Sequence, residues 1–227
     1  SRKRGLRRLR RAILNMTESS TTDRFNPRSV TWLSVVVNTL LAAGKVLAGV
    51  FFHSQTILAE GLHSFSDLAT DIAVLAGLRV SGKPADDCHH YGHRRATALV
   101  TLFVGAALLA AAGYVAYNAI TAFHDYLDDR RSPIRPVVPL LLALVSIPSK
   151  EWLFRLTRAV GRRAGDDSLV ANAWHHRSDA FAATAAAAGL LGVLVGGERW
   201  WFLDPLVAMV LGAFLAAMAV RIAFSAA

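Results

Sequence analysis

Cysteine is nearly missing from this chain of 227 residues: Cys88 stands alone, which excludes an intramolecular disulfide framework. Charge is thin as well, at 18% of residues, and long stretches have none. From Ala96 to Phe123, 28 residues pass without an Asp, Glu, Lys, Arg or His, and 18 more do so from Ala180 to Gly197. A soluble domain has no need of such runs. No HExxH sequence occurs, so the usual zinc-hydrolase helix signature is absent. Nothing resembles a cleavable signal peptide.

What remains is strongly apolar, with 54% of residues in the hydrophobic class. About 20 mostly apolar residues make a helix long enough to cross a bilayer. By that measure six spans are expected, near 30–52, 56–80, 96–123, 136–158, 168–196 and 204–224. Loop signals separate them: Asn26-Pro27, Gly82-Lys83-Pro84, Ser132-Pro133 and Pro136. Asp204-Pro205 reads as the start of the sixth span, with Asp204 as its cap and Pro205 at the first helical position. Pro148 is expected to kink the fourth span or end its regular part. The fold expected is therefore an all-α membrane protein of six transmembrane helices. Residues 1–27 form a basic arm at the cytoplasmic membrane surface, residues 28–227 form the transmembrane domain, and no cytoplasmic C-terminal domain is expected.

The formal charge of +9 invites a nucleic-acid reading, but the distribution of the charge follows membrane topology instead. Lys and Arg crowd the N-terminal arm, at Arg2, Lys3, Arg4, Arg7, Arg8, Arg10 and Arg11. They recur between spans two and three (Lys83, Arg94, Arg95) and after span four (Arg155, Arg158, Arg162, Arg163). Between spans one and two there are none, and between five and six only Arg199. Both termini are expected in the cytoplasm, with no nucleic-acid partner. Within the arm, Leu6, Leu9, Ile13 and Leu14 fall at helical spacing, which suits an amphipathic helix on an anionic leaflet; a disordered basic tail has the same composition.

Two of the spans carry metal-type ligands at matching spacing. His63 and Asp67 sit in AEGLHSFSDLATD, and His175 and Asp179 sit in ANAWHHRSDAFAA. Residues i and i+4 share a helix face, so each span aims an imidazole and a carboxylate at one point. Two His and two Asp are a sufficient set for a divalent transition ion. Ionisable groups in membrane spans are costly and usually functional. Depth agrees: at about 1.5 Å per residue, Asp67 lies roughly 18 Å from Arg79, and Asp179 roughly 18 Å from Asp167. The same rise puts His63 near roughly 24 Å and His175 near roughly 12 Å, so the four bracket the middle of a core about 30 Å thick.

Glu60, Asp71 and Asn172 extend these faces, as partners that orient the ligands or as the lining of a hydrated cavity. His176 is rotated by roughly 100° from His175 and is expected to face elsewhere. Asn38 and Lys45 in span one are read as helix–helix or cavity contacts rather than ligands. In the connection ADDCHHYGHRR, Asp86, His89 and His93 offer ligands for a second ion at the cytoplasmic mouth, although loop histidines are common. Cys88 beside them reads as incidental.

GLHSFSDLATD, DDCHHYGHRRA and KEWLFRLTRAVGRRAGDDSLVANAWHHRSDA, in that order, resemble the cation diffusion facilitators, proton-coupled exporters of divalent metals. The resemblance runs from the first span to the last. It implies that His63, Asp67, His175 and Asp179 form the transport site, and that Asp86, His89 and His93 correspond to a loop site. The His/Asp pair in both spans is similar to the zinc-preferring branch. It further implies Zn²⁺ efflux by proton antiport and alternating access, a homodimer in the lipid bilayer, and a bacterial inner membrane. Cd²⁺, Co²⁺, Fe²⁺ and Mn²⁺ stay open as cargo. Two departures stand out: Thr97 occupies a position often acidic in the family, and the family's usual cytoplasmic metal-binding domain is not seen in these residues.

Two other chemistries use such ligands. An intramembrane zinc-dependent hydrolase would need a coordination position left open for water. A haem-binding bundle with His63 and His175 as axial ligands would leave both carboxylates unexplained.

Overall fold

The computed structural model describes residues 26–81, 94–130 and 134–226, with side chains described for 26–68, 102–130, 134–222 and 224. Six α-helices account for nearly all of them: α1 Pro27–Phe51, α2 Gln55–Ser81, α3 Arg94–Leu127, α4 Val137–Ala164, α5 Asp167–Gly196 and α6 Leu203–Ala226. A short 3₁₀ turn, Gly197–Trp200, joins the last two. No strand occurs among the described residues. All helices but α2 are long and apolar enough to cross a membrane. The α2 helix has the length, 27 residues, but its sequence carries Glu60, His63, Asp67 and Asp71. The expected spans match these helices to within a few residues, except that α4 runs on to Ala164.

Local chemistry sets the boundaries. Asn26 accepts the Ser29 N–H at 2.8 Å and donates its own N–H to the Ser29 hydroxyl at 3.0 Å, and Pro27 follows at the first helical position. Helices α1, α3 and α4 end alike, on one left-handed residue: His53 (φ 56), Asp129 (φ 58) and Gly165 (φ 64). The next N–H then reaches back five residues, from Ser54 to Gly49, Arg130 to Asp125, and Asp166 to Gly161. This terminal loop satisfies carbonyls that a helix end leaves orphaned. Only one of the three is glycine; His and Asp tolerate that conformation better than most side chains. Asp166 then caps α5, accepting the Leu169 N–H at 3.0 Å.

Pro148 does not end α4, which is continuous from Val137 to Ala164. Just before it, the Ser146 hydroxyl donates to the Leu142 carbonyl at 2.7 Å. Asp204 also departs from expectation: α6 begins one residue earlier, at Leu203, and the carboxylate caps a different helix.

The described residues cluster into two compact units, and the division falls within α1, α4 and α5. One comprises residues up to Val37 and Pro148–Ala180. Its core is Val30, Leu156, Val160 and Leu169, with Leu33 against them. There α4 and α5 approach closely: a methyl group at Gly161 would lie 3.1 Å from the Val170 backbone nitrogen.

The other unit comprises Asn38–Ile147 and Phe181–Ala227. It holds two apolar clusters. Ala48, Ile57, Leu140, Ala143, Ala186 and Leu190 join α1, α2, α4 and α5, while Ala59, Val115, Ala119, Ala208 and Leu211 join α2, α3 and α6. Much apolar surface stays outside both clusters, including Phe103 at 75%, Val195 at 78% and Phe224 at 79% exposure. Water does not tolerate so many bare large side chains on one chain, whereas lipid does.

Candidate metal centre

In the larger unit, α2 carries the first ligand pair. His63 Nε2 lies 3.7 Å from Asp67 Oδ2, with the imidazole buried and the carboxylate nearly so. Among the described residues the His63 Nδ1 has no hydrogen-bond partner. Phe214 of α6 packs its ring edge-on to the imidazole, centroids 5.4 Å apart. That contact fixes the ring plane without consuming a nitrogen.

The smaller unit holds the second pair, on α5. His175 Nε2 lies 3.7 Å from Asp179 Oδ1, the carboxylate buried and the imidazole about one-third exposed. In both pairs the separation is too long for a hydrogen bond. It is close to the roughly 3.4 Å between two donors on one tetrahedral ion with bonds of about 2.0–2.1 Å. The separation in each i,i+4 pair is compatible with two donors on one cation.

Further ionisable groups are buried as well. Glu60, expected beside the ligands, forms a buried ion pair with Lys45, Nζ to Oε1 2.6 Å. Lys45 is therefore the helix–helix contact expected of it, joining α1 to α2. His176, expected to face elsewhere than His175, is 1% exposed, and neither ring nitrogen has a hydrogen-bond partner among the described residues. Lys150 of α4 holds Asp179 Oδ2 at 2.7 Å, with both side chains buried. Its position in an apolar span was the only sequence signal for that role.

Asn172 is half-buried on α5. The Asp71 side chain lies outside the described residues, as do Asp86, Cys88, His89 and His93 of the loop candidate and the basic arm.

Asp204 organises the far end of the larger unit. It is fully buried and receives the Ser54 hydroxyl at 2.7 Å, the Gln55 N–H at 2.7 Å and the Thr56 N–H at 3.2 Å. The Thr56 hydroxyl in turn donates to the Asp204 carbonyl at 2.8 Å. The first N–H groups of the ligand-bearing α2 are thereby satisfied by a carboxylate from α6.

Long apolar helices with imidazole–carboxylate pairs among them define a class of membrane proteins that keep ionisable groups inside the helix bundle. Within it the assignment is specific: a family profile described as "Cation efflux transmembrane domain" matches residues 31–227, and the chain belongs to that cation efflux family, one of transporters and not of enzymes. Among curated proteins it is 33% identical over 178 residues to the manganese efflux system protein MneP of Bacillus subtilis, covering 77% of this chain and 57% of that one. It is 32% identical over 186 residues to metal tolerance protein C1 of Arabidopsis thaliana, covering 77% and 39%. It is 29% identical over 182 residues to the magnetosome protein MamM of Paramagnetospirillum magneticum, covering 80% and 56%. The alignments thus take in about half the length of these relatives.

Proposed function

We propose that this chain moves a divalent transition metal ion, Zn²⁺ foremost, out of the cytoplasm in exchange for protons. His63, Asp67, His175 and Asp179 serve one ion in this reading. Six spans carry it, with both termini cytoplasmic, in a bacterial inner membrane. The observation that carries the reading is the repeated 3.7 Å imidazole–carboxylate spacing on two membrane-length helices.

The mechanism follows from ligand chemistry. Imidazole binds metal only when neutral, so protons and metal compete for His63 and His175. A state open to the cytoplasm loads the ion at the higher pH. A state open to the more acidic side takes protons onto the imidazoles and lets the ion go. Helices rocking about a fixed central site supply the alternation.

The cargo has a second reading. The relative named as a manganese efflux protein supports Mn²⁺, a harder ion that draws more on the two carboxylates. The nitrogen donors support Zn²⁺. Asp86, His89 and His93 are proposed to gather ions at the cytoplasmic mouth. A homodimer is proposed as well, and Ala106, Ala110 and Gly113 of α3 offer an exposed face of small residues for close packing. Mass measurement in native nanodiscs tests the dimer; a strictly monomeric, transport-competent chain refutes it.

The deciding experiment is metal uptake into proteoliposomes under an imposed pH gradient, with Zn²⁺ and Mn²⁺ in competition. Asp67→Ala and Asp179→Ala should each abolish uptake. Near-normal uptake in both, at equal incorporation, removes the site assignment; uptake indifferent to the gradient removes the proton coupling.

A further inference from the structure

Asp179 splits its two oxygens between different partners. Oδ1 faces the His175 imidazole at 3.7 Å, and Oδ2 is held by the Lys150 ammonium at 2.7 Å. The lysine is 2% exposed and the aspartate 6%, so this ion pair forms away from solvent. Both belong to the compact unit of Pro148–Ala180, where Gly161 lets α4 and α5 approach closely. Lys150 lies one helical turn beyond Ser146 on α4, and its stem crosses to α5.

Such an arrangement creates a conflict. A carboxylate that is to bind a doubly charged cation already carries a cation, tethered to the neighbouring helix. The incoming ion and the ammonium cannot both sit against Asp179 without strong like-charge repulsion in a low-dielectric setting. Removing either partner of a buried pair leaves the other uncompensated, which is costly. An empty site therefore needs a counter-charge, and a filled site must shed it.

We propose that Lys150 is a built-in competitor for the metal: its ammonium occupies Asp179 when the ion is absent and is displaced when the ion binds. This rests on the assignment of Asp179 as a ligand made above. No covalent bond changes and no proton moves; the ion arrives at Oδ1, and its charge drives the ammonium from Oδ2 of the same carboxylate. The device has two consequences. It gives Asp179 a counter-charge while the ion is absent, so that carboxylate is never left bare and buried. It also weakens metal binding, because returning the ammonium to Asp179 helps expel the ion. Lys150 is thus a positioning residue that sets the balance between capture and release.

A plain structural clasp between α4 and α5 makes a different prediction. It would change stability on substitution but leave metal affinity alone. Lys45 provides the comparison, since it forms an equally buried pair with Glu60, which is not among the proposed ligands.

The test is equilibrium Zn²⁺ and Mn²⁺ binding to the full chain in nanodiscs, with initial-rate transport on the same preparations. The variants are Lys150→Met, Lys150→Gln, Lys150→Arg, Lys45→Gln and Asp179→Asn. Lys150→Gln keeps a hydrogen-bond donor for Asp179 without charge, and serves if Lys150→Met fails to fold. Lys150→Met or Lys150→Gln should bind metal at least about tenfold more tightly, as expected when a like charge is removed from beside the ion. KM and kcat should fall together, because release becomes slow. Lys150→Arg should stay near the wild-type affinity, and Lys45→Gln should leave it unchanged. Unaltered affinity in the folded uncharged variants overturns the proposal, as does weaker binding. If Asp179→Asn binds and transports like the wild type, the ligand assignment itself has failed, which is a separate outcome.

Discussion

The Asp204 carboxylate accepts the Ser54 hydroxyl at 2.7 Å across a sequence separation of 150 residues, binding the start of α2 to the start of α6. With the Gln55 and Thr56 N–H groups added, one buried side chain closes the end of the helix that carries His63 and Asp67. Asp204→Ala should therefore lower stability by about 2 kcal/mol or more, through buried donors left unsatisfied. Asp204→Asn keeps one acceptor oxygen and should cost less. Thermal unfolding in detergent reads both; equal melting temperatures for all three proteins would show that the cap adds nothing.

The Lys45–Glu60 pair makes a second prediction. Lys45→Met leaves a buried carboxylate without its cation and should destabilise by about 3–5 kcal/mol. Adding Glu60→Gln removes that charge and should return most of the loss. A double variant no more stable than the single one would mean that Lys45 acts through packing of its stem.

Selectivity should follow donor hardness. His63→Asp exchanges a borderline nitrogen for a hard oxygen, which should shift uptake toward Mn²⁺ relative to Zn²⁺. Competitive uptake with both ions present measures the ratio. If the ratio does not move, geometry or another residue governs the choice.

The loop histidines should have a milder effect. His89→Ala combined with His93→Ala should lower bound metal per chain and slow transport at low Zn²⁺, yet spare it at saturation. Complete loss at all concentrations would put them on the essential path.

Helix positions were legible because uninterrupted apolar runs are bounded by charge, Pro and Gly, and local patterns of that kind need no knowledge of packing. The proximity of His63 to Asp67 and of His175 to Asp179 was legible for the same reason: the relation lies within one helix. Partners across helices were not. Lys45, Glu60, Lys150 and Asp179 could all be seen as charges inside spans, but which cation meets which carboxylate depends on how the helices rotate against one another. Asp204 was misassigned to its own helix because capping is usually local, and nothing near it in sequence announces a neighbour 150 residues away.

One seam in the larger unit has a mechanical meaning. A methyl group at Gly61 of α2 would lie 2.8 Å from the Val46 backbone nitrogen of α1, and one at Gly49 would lie 2.7 Å from the Leu58 Cα. Backbone thus meets backbone at two levels, with the Lys45–Glu60 bond between the same two helices. The absent side chains of Gly49 and Gly61 are thus what lets the Asn38–Phe51 part of α1 and the start of α2 meet main chain to main chain, and a methyl group at either position would prise the two apart.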